Sequence, residues 1–102
     1  MLAKKRTLER RVKSPRQMER HLKGVANHHR IEILFLVAEN QGITVENIAE
    51  RLNCDMKTIS EHTRRLAQAG LVRKNYAGRT VAHKLSPYGK ILYKFMRTFQ
   101  HS

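Results

Sequence analysis

Residues 44–70 read TVENIAERLNCDMKTISEHTRRLAQAG, and the fold turns on this stretch. Val45, Ile48, Ala49 and Leu52 fall at i, i+3, i+4 and i+7, the single apolar stripe of a short helix over 45–52. Thr44 stands where its N-cap belongs. Asn53-Cys54 makes a tight turn, because asparagine accepts the left-handed backbone of a helix C-cap. Asp55 then caps a second helix from Met56 to about Ala69, with Ile59, His62, Thr63 and Leu66 facing inward. Gly70 ends it. Two helices with one apolar face each, joined by a turn of three or four residues, predict a helix-turn-helix over 44–69.

Strands follow on the C-terminal side. Leu71, Val72 and Tyr76 lead into the turn Ala77-Gly78, and Thr80–Leu85 alternates apolar with polar residues as a half-buried strand does. This places a wing at 71–85. Ser86-Pro87 opens a last helix over 87–99, with Tyr88, Ile91, Leu92, Phe95 and Phe99 on one broad stripe. On the N-terminal side, Asn27 caps a helix from His28 to about Asn40. It is apolar nearly all round and so belongs at the centre of the core. Gln41-Gly42 stops it, and Ile43 adds a short extended residue. Ser14-Pro15, with Gln17 at capping-box spacing, starts a helix running to about Ala26, with Met18, Leu22 and Val25 on one stripe. Gly24 weakens that helix by roughly 1 kcal/mol relative to alanine, so it depends on packing. The order α-α-α-α-β-β-α predicts a mainly α winged helix with a small β-hairpin. The domain spans 14–102, preceded by a basic, flexible arm at 1–13.

Charge points to a partner. The 102 residues carry 21 Lys/Arg against 8 Asp/Glu, a net +13, which calls for a polyanion. The distribution is uneven. Residues 1–30 are net +8, residues 31–61 net −4, and residues 62–102 carry nine Lys/Arg with no acid. The length suits one domain. The longest apolar run, Ile33–Ala38, is far short of a membrane span, and the basic N-terminus lacks the apolar stretch of a secretory signal. The expectation is a soluble cytoplasmic, nucleoid-associated protein without membrane contact. No Ser/His/Asp set, carboxylate pair or Gly-rich phosphate loop has a catalytic spacing, so neither an enzyme nor a cofactor is expected. No metal site is expected either, since the histidines are scattered and adjacent His28 and His29 should point their rings apart. The single Cys54, at a turn entering a helix, reads as a plain turn residue, with redox sensing the alternative.

The candidate reading surface is the outer face of the second helix. Lys57, Ser60, Glu61 and Arg64 lie at i, i+3, i+4 and i+7, opposite Ile59 and Leu66. Laid in a major groove, these side chains would face base edges: lysine would donate to guanine, glutamate would accept from cytosine N4, and serine would serve either. Thr58 near the helix start and Arg65 on its flank suit phosphates. In the acid-free hairpin, Lys74 adds charge and Arg79 at the Gly-Arg tip can reach a minor groove. The apolar stripes of the terminal helices exceed what a small monomer buries. Met18, Leu22, Val25, Tyr88, Ile91, Leu92, Phe95 and Phe99 are therefore the expected two-fold interface of a homodimer.

The stretches ANHHRIEILFLV, ITVENIAERL, DMKTISEHTRRLAQAGLV and RKNYAGRTVAHKLSP together resemble the ArsR-type winged helix-turn-helix transcriptional regulators. MarR-type winged helices share the scaffold in chains that are usually longer. The resemblance implies a homodimer paired through its terminal helices, a double-stranded DNA partner, and a packing role for His62. The chain departs from the pattern at His28, where proline is common, at Thr63, where leucine is common, and at Glu61, where Arg or Gln is common. It also lacks the family's metal-sensing cysteine pair and the paired Asp/His ligands of the last helix. The expected function is a sequence-specific DNA-binding transcriptional regulator, in the first instance a repressor. A sequence-independent architectural DNA-binding protein and a winged-helix protein–protein module stand as alternatives.

Overall fold

A computed structural model of the chain describes residues 12–102; all but the last two residues of the expected basic arm lie outside them. Five helices and three strands follow in order: α1 (Pro15–Val25), α2 (His28–Glu39), β1 (Ile43–Thr44), α3 (Val45–Leu52), α4 (Met56–Gln68), β2 (Val72–Ala77), β3 (Thr80–Leu85) and α5 (Pro87–Gln100). The winged helix-turn-helix is the fold.

Each helix starts where its capping side chain sits. Ser14 and Gln17 form the reciprocal box, with the Gln17 amide donating to Ser14 Oγ at 3.2 Å and the Ser14 amide to Gln17 Oε1 at 2.8 Å. Asn27, Thr44, Asp55 and Ser86 each accept backbone N–H groups of the turn they open. Asn53 ends α3 at φ 52°, the left-handed cap its sequence context implied.

Leu34, Val37, Ile48, Ile59, Leu66 and Leu71 are wholly buried and join all the layers in one core. Thr63, where leucine was the commoner expectation, is also fully buried and donates its hydroxyl to the Ser60 carbonyl at 3.0 Å. A buried hydroxyl with a partner is tolerated; without one it would be expensive. Phe35 of α2 meets Tyr93 of α5 edge to face, with centroids 5.2 Å apart.

Three features go beyond or against the sequence reading. The sheet has three strands in the order β1-β3-β2, because Ile43 and Thr44 pair antiparallel with His83 and Ala82; an isolated hairpin was expected. Val25 is only 6% exposed and belongs to the monomer's own core, so it is not available to a partner protomer. Gly24 lies against Ala69 at the α1/α4 crossing, where an added Cβ would collide with the Ala69 side chain. The residue that weakens α1 locally is the one that lets it approach α4 closely.

Candidate nucleic-acid interface

Helix α4 displays the expected side chains. Lys57, Ser60, Glu61 and Arg64 are exposed, while Ile59, Thr63 and Leu66 anchor the opposite face. They do not stand free of one another. Glu61 accepts from Arg64 Nη2 at 2.6 Å and Arg64 Nε at 3.1 Å, a bidentate pair, and from Arg65 Nε at 3.2 Å. These hydrogen bonds hold the Glu61 carboxyl below the usual carboxylate range and the Arg64 guanidinium above its own. Glu61 therefore acts first on its neighbouring arginines. Its sequence-based assignment to cytosine requires that pair to open.

Thr58 is not a free phosphate seat. Its hydroxyl donates to Asp55 Oδ1 at 2.6 Å and its amide to Asp55 Oδ2 at 3.1 Å. The Asp55 carboxylate already occupies the anion position at the start of α4, held below the usual carboxylate range by the Thr58 hydroxyl and then the amide.

The hairpin turns through Gly78-Arg79, with Ala77 opposite Thr80. Gly78 has φ +63° and Arg79 stays out of the left-handed region, the pattern of a type II′ turn. Arg79 is exposed at the tip. Lys74 differs, being half-buried on the strand face with Val72 and Tyr76. Burial and then the charge of Arg64 lower its pKa. Ser60, Lys74 and Tyr76 share a cleft of about 110 Å³ between α4 and the wing, floored by His83. Lys74 thus lines the cleft between the wing and α4. Tyr76, opposite Val81, is largely exposed.

Two groupings escaped the sequence reading. His83 is 1% exposed, with Nδ1–H donating to the Ile43 carbonyl at 3.0 Å and Nε2 lacking a protein partner. The strand pattern was read without placing His83 inward, and the pairing with Ile43 was invisible without β1. The second is a basic cleft of about 290 Å³ that gathers Arg20, Lys23, Arg30 and Arg65 from three helices. Arg20 donates to the Gln68 carbonyl at 2.7 Å and Arg30 to the Gly24 carbonyl at 2.7 Å. Sequence distance hid this convergence. His62 is half-buried, its Nδ1 3.4 Å from Arg30 Nη1; burial, then Arg30 and His29, lower its pKa. Cys54 Sγ donates to the Leu52 carbonyl at 3.5 Å.

The remaining expected interface residues line one apolar surface. Met18, Leu22, Tyr88, Ile91 and Leu92 border a groove of about 300 Å³ between α1 and α5. Ile91, Phe95 and Phe99 are 64%, 58% and 67% exposed, and the two phenylalanine rings stack 5.8 Å apart. Leu92 also packs against the monomer core.

The MarR-family model matches residues 27–75, from the cap of α2 into the first wing strand. Among solved structures, HlyU from Vibrio cholerae is 25% identical, with a TM-score of 0.76 over 84% of this chain and 94% of that one. The homodimeric winged helix-turn-helix DNA-binding domain Mb0332 from Mycobacterium bovis, described as a possible ArsR-family regulator, is also 25% identical. Its TM-score is 0.76 over 88% of this chain and 89% of that one. The chain is a winged-helix, DNA-binding transcription regulator. FabT of Streptococcus pneumoniae, solved in complex with DNA, shares the fold at 11% identity and a TM-score of 0.68, over 79% of this chain and 63% of that one. The curated proteins contain no match. The ArsR-type expectation holds at the level of a winged-helix regulator; the family model that matches is MarR. The helix-turn-helix of this regulator is the part both types share. Among the described residues no helix is long and apolar enough to cross a membrane.

Proposed function

We propose that the protein is a homodimeric, sequence-specific repressor of the compact ArsR-like kind, acting in the cytoplasm on operator DNA. Helix α4 lies in the major groove with Lys57, Ser60 and Arg64 toward base edges, and Arg65 meets the backbone. The wing places Arg79 on the adjacent minor groove, and Lys74 braces it against α4. The exposed α1 and α5 faces pair two copies, and the Mycobacterium bovis relative is itself a homodimer. Two reading helices about one DNA turn apart then match a palindrome. The domain is residues 14–102, and the basic stretch 1–13 adds phosphate attraction.

The observation that carries this reading is a capped, core-anchored helix whose exposed face offers Lys57, Ser60 and Arg64 beside a cationic wing tip. The test is an affinity titration on operator and scrambled duplexes with the parent and the double variant R64A/R79A. The parent should discriminate between the duplexes, and the folded variant should lose that discrimination. The net +13 favours a second reading, an architectural protein that coats DNA. It predicts a steep salt slope with equal affinity for both duplexes.

A further inference from the structure

The adjacency of His28 and His29 implied rings pointing apart, but the first turn of α2 brings them together. Their centroids are 4.1 Å apart at a tilt of 38°. Glu32 lies four residues beyond His28 and three beyond His29, the two spacings at which helical side chains meet. His29 Nδ1 stands 3.9 Å from a Glu32 carboxylate oxygen. One donor atom from each of the three residues lies within 4.8 Å of the others, so small side-chain rotations would converge them on one ion.

We propose that His28, His29 and Glu32 form a binding site for one divalent transition-metal ion of the zinc type. Two imidazoles and a carboxylate are the donor set of open zinc sites, which keep a fourth position for water or another ligand. Calcium and magnesium, which take oxygen donors, are poorly served by two ring nitrogens. The site is distinct from the positions of the family's metal-sensing residues, which this chain lacks.

Two features oppose a cation here, and both are already engaged. The positive end of α2 is capped by Asn27, whose side-chain oxygen accepts the His29 and Arg30 amides at 3.0 and 3.2 Å. Arg30 is turned to the Gly24 carbonyl and to His62. The site also touches α4. The His29 ring lies 5.6 Å, centroid to centroid, from His62 on that helix, so an ion that draws His29 toward His28 and Glu32 would disturb that contact.

The whole chain, freed of metal by a chelator, should be titrated with Co2+ followed by visible absorption, and then challenged with Zn2+. The expected result is one ion per chain, displaced by Zn2+, with H29A and E32Q each weakening uptake at least about tenfold. H101A, at an exposed site near the end of α5, should bind like the parent. Because His28 and Glu32 are exposed, circular dichroism and melting of H28A and E32Q should match the parent, so lost uptake reads as a lost ligand. No uptake in metal excess, equal uptake by H28A/H29A, or one ion per two chains would each overturn the site. None of these readings requires DNA, so failure here leaves the repressor assignment intact.

Discussion

Glu61 restrains the arginines on the exposed face of α4. Its carboxylate holds Arg64 through two hydrogen bonds and Arg65 through a third, and it would repel any phosphate that Arg65 approaches. E61Q removes the charge and loosens both arginines. Affinity for an arbitrary duplex should rise roughly fivefold to tenfold at 0.1 M salt, the gain of about one phosphate contact, while discrimination falls. Fluorescence anisotropy on operator and scrambled duplexes measures both. Unchanged affinity for the scrambled duplex would show that the carboxylate does not hold the arginines back.

At the same scale, His83 makes stability depend on pH. Burial lowers its folded pKa, the Ile43 carbonyl opposes that, Lys74 lowers it further and Glu46 raises it. An unfolded histidine titrates near 6.5. Between that value and the lower folded one, the unfolded chain binds more protons than the folded chain. Stability is therefore complete above about pH 6.5 and declines as pH falls toward the folded pKa. The slope should not exceed about 1.4 kcal/mol per pH unit for this histidine. His62, also lowered, contributes with the same sign. Melting curves at descending pH should show the loss, and H83N, which keeps a donor for Ile43, should flatten it.

Elements differ in how plainly they could be read from the chain. Helix starts were legible because each carries its own capping signal, as Ser14 with Gln17 and Asp55 ahead of Met56 show. The Asn53 turn was legible for the same reason. Of strand β1 only the extended Ile43 was legible; its pairing was not, because two residues paired to a strand 40 positions away leave no local periodicity. The candidate site divides likewise. The exposed face of α4 follows from helical spacing, whereas the Glu61 latch and the His28–His29 approach depend on rotamers that spacing does not set. Gly24 shows the difference best. Propensity alone says alanine would improve α1, yet the α1/α4 crossing leaves no room beside Ala69. G24A should therefore destabilise by about 1–3 kcal/mol in urea unfolding, as overpacking does. Ser86 is the matching case at α5. It caps the helix by accepting from the Gly89 amide at 3.0 Å, and it donates to the Gly70 carbonyl. S86A should cost about 1–2 kcal/mol by the same measurement.

As a single copy, the molecule leaves large apolar side chains uncovered. Ile91, Phe95 and Phe99 on α5 and Met18 and Leu22 on α1 are all exposed, on the two helices that flank the helix-turn-helix and wing in sequence. An apolar surface of this kind seeks a partner. If a second copy covers it, the two reading helices are tied together, and binding the first half-site raises the effective concentration of the second reading helix at its own. I91E/F95E places charges where two copies would meet, at side chains the monomer core does not need. Circular dichroism should be unchanged, while sedimentation should report a dimer for the parent and a monomer for the variant. Affinity for a palindromic duplex should fall by roughly 10²-fold or more, and affinity for an isolated half-site should change little. A variant that stays dimeric would move the interface off α5. A monomeric variant that holds the palindrome as tightly as the parent would mean that one reading head suffices.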